Sequence, residues 1–245
     1  MKRILFLLYG VIAYFIFFGT FLYAIGFVGN LFVPKSIDGL ATMPLAKAVL
    51  INASLLLVFA LQHSIMARPA FKSWWTRFIP EHAERSTYVL LASLCLLLMM
   101  WQWQPIGGVV WSIESNLVRT ILLSTYAFGW GLVLISTFLI NHFDLFGLRQ
   151  TWLHFTGRKY TPLPFRTPLF YRFVRHPLYL GFLIAFWSTP VMTVAHLLFA
   201  MLTTGYILTA IVLEEKDLVT HFGESYVRYK QNSSKIIPFL KRNSK

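Results

Sequence analysis

A chain of 245 residues that is 57% hydrophobic and 13% charged, with a mean hydropathy of +0.62, is too apolar for an ordinary soluble domain, where about 25% of residues carry charge. The length suits one membrane domain, and the net charge of +13 sits between and after apolar runs, where it would meet anionic lipid; that argues against nucleic acid as a partner. Cys95 is the one cysteine, so no intramolecular disulfide can form, and its place in the run from Leu90 to Met100 reads as a buried thiol.

Taken in order, Ile4 to Phe27 is the first span, preceded by Lys2 and Arg3. It is too long for the apolar region of a signal peptide and lacks a small-residue cleavage site. A polar loop with Pro and Gly runs from Asn30 to Met43. Pro44 to Met66, Ser86 to Trp103 and Arg119 to Asn141 are three further spans, each near the roughly 20 residues a crossing needs. Trp74, Trp75, Trp101, Trp103 and Trp111 lie at span ends, as interfacial aromatics do. The stretch from Leu178 to Leu213 is too long for one straight span and short for two, and Ser188-Thr189-Pro190 interrupts it. Proline opens helices more readily than it continues them, so the expectation is a helical hairpin, Pro177 to Trp187 and then Pro190 to Leu213. The predicted fold is all-α: a polytopic membrane helix bundle of four full spans plus a C-terminal hairpin, five to six membrane helices in one domain.

Charge orients this layout. Of the 22 Lys and Arg, only Lys35, Lys47 and Arg119 fall on the side opposite the N-terminus. That asymmetry places both termini in the cytoplasm and requires an even number of crossings between Arg175 and Lys216. Polar residues then gather at the cytoplasmic ends of the spans: Gln62-His63-Ser64, Glu84 with Arg85 and Tyr88, Asn141 with His142 and Asp144, Arg175 with His176, and Glu214-Glu215. Ionisable groups at membrane depth are costly and mark functional sites, and a pocket built from several helix ends suits a small ligand.

The most specific run is Arg175-His176-Pro177-Leu178-Tyr179-Leu180-Gly181, followed by Glu214-Glu215 and then Phe222-Gly223-Glu224-Ser225-Tyr226. This RHPxYxG, double-glutamate and FGxxY series resembles the cofactor signature of integral-membrane, S-adenosylmethionine-dependent methyltransferases, the group that includes isoprenylcysteine carboxyl methyltransferases and phospholipid N-methyltransferases. The residue types suit that ligand. Pro177 at the first helical position leaves free N–H groups at a helix N-terminus, and with Arg175 and His176 beside them this suits a carboxylate. Glu214 and Glu215 can accept from ribose hydroxyls or an amino group. Tyr179 can hydrogen-bond the cofactor or turn its face to a sulfonium, and Gly181 completes the motif. The bland alternative is that Arg175 and His176 snorkel and the acids form a solvated helix end. On the resemblance, residues 1–141 form a four-helix part and 142–245 the cofactor-binding part.

Other segments narrow the likeness. Leu22-Tyr23-Ala24-Ile25-Gly26-Phe27-Val28-Gly29-Asn30, Val33-Pro34-Lys35-Ser36-Ile37-Asp38, Gln62-His63-Ser64-Ile65-Met66-Ala67-Arg68-Pro69, Pro80-Glu81-His82-Ala83-Glu84-Arg85-Ser86-Thr87-Tyr88 and Asp144-Leu145-Phe146-Gly147-Leu148-Arg149-Gln150 resemble bacterial methanethiol S-methyltransferases over nearly the whole chain. The resemblance implies methyl transfer from S-adenosylmethionine to methanethiol, giving dimethyl sulfide, in the bacterial inner membrane with a site near the cytoplasmic face; the acceptor rests on resemblance alone. An alkyl thiol is a weaker acid than a cysteine side chain at about 8.5, so a base or a thiolate-stabilising cation helps. His63 is the expected base, with Arg85 and Tyr88 polarising or positioning, and His142 with Asp144 is the rival pair. The positive charge of the cofactor could also serve without a dedicated base, and His63 could be only a hydrogen-bonded interfacial histidine. One His-x-Asp without a third ligand at metal spacing gives no metal site. His82, His154, His196 and His221 read as structural. The aromatics from Tyr14 to Tyr23 read as a packing or lipid-facing surface, with Tyr14 or Tyr23 facing substrate as the alternative. The partners expected are a small thiol and the bilayer; the oligomeric state is not legible. A prenylcysteine carboxylate or a phospholipid amine is the competing acceptor, and a non-catalytic membrane carrier or accessory protein the competing class.

Overall fold

Proline sets several of the helix boundaries. In the computed structural model, which describes residues 1–238, helix α1 spans Lys2–Gly29 and stops at Asn30, whose left-handed backbone returns its N–H to the Gly26 carbonyl. The basic residues Lys241, Arg242 and Lys245 lie outside the described residues. Helix α2 (Leu45–Ala67) begins directly after Pro44, and Pro69 ends it by holding Arg68 extended. The same proline opens the short α3 (Pro69–Trp75). Helix α4 (Glu81–Gln102) follows Pro80 and carries Glu81 and Glu84 in its first turn, where carboxylates meet the positive end of the helix dipole. Then come β1 (Val109–Ser112), α5 (Asn116–Ile140), α6 (His142–Leu145), α7 (Leu148–Phe155), a 3₁₀ turn (Leu169–Arg172), α8 (Pro177–Trp187), β2 (Val191–Thr193), α9 (Val194–Phe222) and α10 (Glu224–Asn232).

Helices α1, α2, α4, α5 and α9 are each long and apolar enough to cross a bilayer, and α8 is a shorter apolar helix. This is the polytopic helical membrane fold expected from hydropathy. The hairpin differs in detail. Its second helix starts at Val194, not Pro190, because Val191–Thr193 pairs as a strand with β1. It also runs past Leu213 to Phe222 and stops only where Gly223 takes a positive φ of 58°. Glu214 and Glu215 therefore lie inside a helix, about two turns before its end, and do not close it.

Two compact units make up the chain. The first comprises Met1–Val110, His142–Pro162 and Thr193–Leu198. In it α4 packs on α1 and α2, and α7 lies against α1 and α4. Gly147 seats the α6–α7 turn: its φ is +88°, and a Cβ there would lie 2.5 Å from Ser86 Oγ and 2.6 Å from the Ser86 nitrogen. Only glycine allows both the left-handed backbone and that approach.

The second unit comprises Trp111–Asn141, Leu163–Met192 and the chain from Phe199 onward, and its main packing is α5 on α8. Two glycines make that crossing close. A Cβ on Gly129 would lie 2.7 Å from the Ala185 nitrogen, and one on Gly181 would lie 2.7 Å from the Gly129 carbonyl oxygen and 2.9 Å from the Val133 nitrogen. Small residues at contact points are the usual device for packing membrane helices, since lipid offers no hydrophobic drive. Gly181, the last residue of the RHPxYxG run, thus faces α5. Replacing it by Val should cost about 1–3 kcal/mol through overpacking. The readout is the unfolding midpoint in detergent; an unchanged midpoint would contradict the packing role.

Candidate active site

The second unit holds a group of charged side chains in mutual contact. Arg175 and His176 stand just before α8, and the C-terminal segment holds their backbone. Arg175 N–H donates to Ser234 O at 2.8 Å, His176 N–H to Lys235 O at 3.3 Å, and Ser234 N–H to Phe173 O at 3.2 Å. The side chains converge on α9. Arg175 Nε donates to Glu215 Oε1 at 2.7 Å, and His176 Nε2 lies 3.2 Å from the same oxygen. Lys230 Nζ of α10 is 3.3 Å from Glu215 Oε2. Arg175 Nη1 donates to Lys230 O at 3.0 Å and also to Ser233 O. The side chains of Arg175, His176 and Glu215 are at most 9% exposed, so this ion network is largely withdrawn from water.

Its neighbours differ in what is left open. Glu214 is 42% exposed, and its Oε2 sits 3.9 Å from His176 Nδ1. That oxygen is itself buried and accepts no hydrogen bond among the described residues. Pro177, buried, opens α8 and needs no N–H partner. The Tyr179 ring centroid is 5.6 Å from that of His176. The two ends of the hairpin thus meet: the start of α8 touches the acids of α9. The sequence missed Lys230, the Ser233–Lys235 segment and the burial of Tyr226. The FGxxY run was the available signal, because it starts the helix that carries Tyr226 and Lys230.

The first unit carries the other expected residues. Arg85 and Tyr88, three residues apart on α4, share a face, and Arg85 Cζ lies 4.9 Å from the Tyr88 ring centroid. Arg85 Nε donates to Leu145 O at 2.7 Å, which fixes the guanidinium plane. The Tyr88 hydroxyl is 3.0 Å from each ring nitrogen of His63, and 3.4 Å from the His63 carbonyl oxygen. His63, Arg85 and Tyr88 are therefore one connected group. His142 and Asp144 have other partners. His142 Nε2 lies 2.9 Å from the Tyr14 hydroxyl of α1, within a shell of Phe17, Phe143 and Phe146, and burial holds its imidazole below the usual histidine range. Asp144 Oδ1 accepts from Arg149 Nη1 at 2.8 Å and Oδ2 from the Tyr160 hydroxyl at 3.3 Å. Tyr14, read from sequence mainly as packing, is a hydrogen-bonding residue. Among the described residues, no group of three His, Cys, Asp or Glu is placed to hold a metal ion.

Comparison with known proteins bears on this geometry. No family model and no solved structure matches the chain. Curated relatives do. Methanethiol S-methyltransferase of Crocosphaera subtropica is 56% identical over 244 residues, covering 100% of this chain and 96% of that protein. Methanethiol S-methyltransferase 1 of Bradyrhizobium diazoefficiens is 55% identical over 95% of this chain and 81% of its own length. Methanethiol S-methyltransferase of Mycobacterium tuberculosis is 50% identical over the full length of both. Identity of this order, end to end, means that the chain belongs to the methanethiol S-methyltransferase family.

Proposed function

We propose that the protein transfers the methyl group of S-adenosylmethionine to the sulfur of methanethiol, forming dimethyl sulfide. The observation that carries this reading is the buried Arg175–Glu215–His176 network with Glu214 Oε2 left open beside it, in a chain half-identical from end to end to methanethiol S-methyltransferases.

The second-unit residues fit the cofactor. An unpartnered buried carboxylate oxygen needs a donor, which a ribose hydroxyl or an ammonium supplies. Glu215 is engaged by Arg175 and Lys230, so Glu214 is the acid whose charge remains to favour a cationic ligand. Arg175 Nε and Nη1 are spent within the protein, which makes Arg175 chiefly a positioning residue for Glu215 and the C-terminal segment. His176, Pro177 and Tyr179 line the start of α8, whose first-turn N–H groups favour a carboxylate. Gly181 belongs to helix packing. Bound S-adenosylmethionine supplies an electrophilic methyl group on a sulfonium. In the first unit, His63 accepts the thiol proton, since the thiolate is the nucleophile. Tyr88 holds the imidazole, and Arg85 steadies the developing negative charge.

The distribution of Lys and Arg supports an inner-membrane protein with cytoplasmic termini and a site near the cytoplasmic face. Purified protein in detergent, given S-adenosylmethionine and methanethiol, should release dimethyl sulfide into the headspace, measured by gas chromatography. Parallel incubations with a prenylcysteine and with phosphatidylethanolamine test the lipid-linked acceptors. Methylation of either lipid without dimethyl sulfide would overturn the thiol reading.

A further inference from the structure

In the first unit, Phe17 of α1 and Phe146, which follows α6, form a close aromatic stack. Their ring centroids are 3.7 Å apart and their planes 19° from parallel. Both rings pack against the buried side chains of Met66, Tyr88 and Val89. The stack therefore lies beside Tyr88, whose hydroxyl is 3.0 Å from the His63 ring nitrogens. The His63 ring is itself faced by Phe59, at a centroid distance of 5.3 Å, and by Tyr88 at 5.2 Å. The His63–Tyr88 group is thus bounded by aromatic surface, and neither phenylalanine of the stack has a stated use.

This surface is held in place. Phe146 N–H donates to His142 O at 3.1 Å. The next residue, Gly147, abuts α4 so closely that a Cβ there would lie 2.5 Å from Ser86 Oγ, so the backbone beneath Phe146 has no room to retreat. Phe17 rides on α1, which packs along α4. Met66 is an adaptable side chain in most cores, but here Gln62 Nε2 donates to its Sδ at 3.1 Å. Close-packed interiors register a change of one methylene, and forcing extra volume into them strains the backbone. A thiol that gives its proton to His63 must bring its sulfur within about 2.6–3.2 Å of the imidazole. Its alkyl group then lies among these same rings. Methanethiol adds a single methyl there, whereas every longer alkanethiol must also seat its methylenes.

We infer that Phe17 and Phe146 are specificity-determining residues whose stack restricts the acceptor at the His63–Tyr88 group to the smallest alkanethiol. The inference rests on the proposed role of His63 as the thiol base and adds the residues that set acceptor size.

The test compares methanethiol, ethanethiol and 1-propanethiol as acceptors for the detergent-solubilised full chain, with the methyl alkyl sulfides measured by gas chromatography. In the wild type, kcat/KM should fall about tenfold or more from methanethiol to ethanethiol, the order that one methylene commands in an apolar pocket, and further for 1-propanethiol. Phe146→Leu and Phe17→Leu keep an apolar side chain and remove the ring. Each should raise the ethanethiol-to-methanethiol ratio of kcat/KM about tenfold. Phe146→Ala should extend the gain to 1-propanethiol, and the two Leu variants decide the matter if the Ala variant does not fold. A ring that served the fold alone would, when removed, lower turnover of all three thiols alike and leave the ratio unmoved. An unmoved ratio in both Leu variants, or a wild type that uses 1-propanethiol as readily as methanethiol, would overturn the inference and leave methyl transfer to methanethiol standing. Absence of dimethyl sulfide from the wild-type protein would instead remove the proposed reaction, and the inference with it.

Discussion

Glu215→Ala should destabilise the protein by about 3–5 kcal/mol, the usual cost of removing one partner from a buried ion pair. The carboxylate receives Arg175 on one oxygen at 2.7 Å and Lys230 on the other at 3.3 Å, with His176 3.2 Å from the first. Truncation leaves a guanidinium whose side chain is 9% exposed without its counter-charge. It also frees Lys230, so α10 loses an anchor. Glu215→Gln keeps an oxygen to accept from Arg175 and should fall between the wild type and Ala. Glu214→Ala provides the contrast. Glu214 is 42% exposed, so its loss should leave the unfolding midpoint nearly unchanged while S-adenosylhomocysteine binding weakens. Unfolding in detergent followed by circular dichroism, beside calorimetric binding, separates the two roles. A Glu215→Ala midpoint equal to that of the wild type would show that the network does not hold this part of the fold together.

How much of this was legible in the sequence differs from element to element. The long helices were, because about 20 apolar residues leave the chain no other way to satisfy its backbone in lipid. Prolines at positions 44, 69, 80 and 177 set helix starts that local sterics alone decide. The start of α9 was not legible, because Val191–Thr193 is withheld from the helix by a strand partner far away in sequence. The meeting of Arg175 and His176 with Glu214 and Glu215 could be expected from charge parity and the hairpin. The partner of His142 could not. His142-Phe143-Asp144 invites a local pairing, yet the hydroxyl 2.9 Å from the imidazole belongs to Tyr14, on α1, and Asp144 accepts from Arg149 and Tyr160. That Gly181 also packs against α5 was not legible, because sequence cannot show that α5 approaches its Cα so closely.

His63→Ala should lower kcat by about 10²–10⁴-fold, the range for a positioned general base, with no change in S-adenosylhomocysteine affinity. The argument starts from the acceptor. An alkyl thiol is largely protonated at neutral pH, and the protonated sulfur is a poor nucleophile. The Tyr88 hydroxyl lies within 3.0 Å of the His63 ring nitrogens and Arg85 4.9 Å from the tyrosine ring; in the proposed mechanism His63 is a proton acceptor held in place and Arg85 a cation that favours the product of deprotonation. Tyr88→Phe keeps the imidazole and removes only its orientation, so its loss should be smaller. The pH profile gives the sharper test. Without the base, the reaction depends on thiolate formed in bulk water, so His63→Ala turnover should rise about tenfold per pH unit below the thiol pKa. The wild type should rise less steeply, and the two should approach each other in alkali. A parallel offset across all pH values would make His63 a packing residue, and wild-type turnover at neutral pH would remove it from the chemistry.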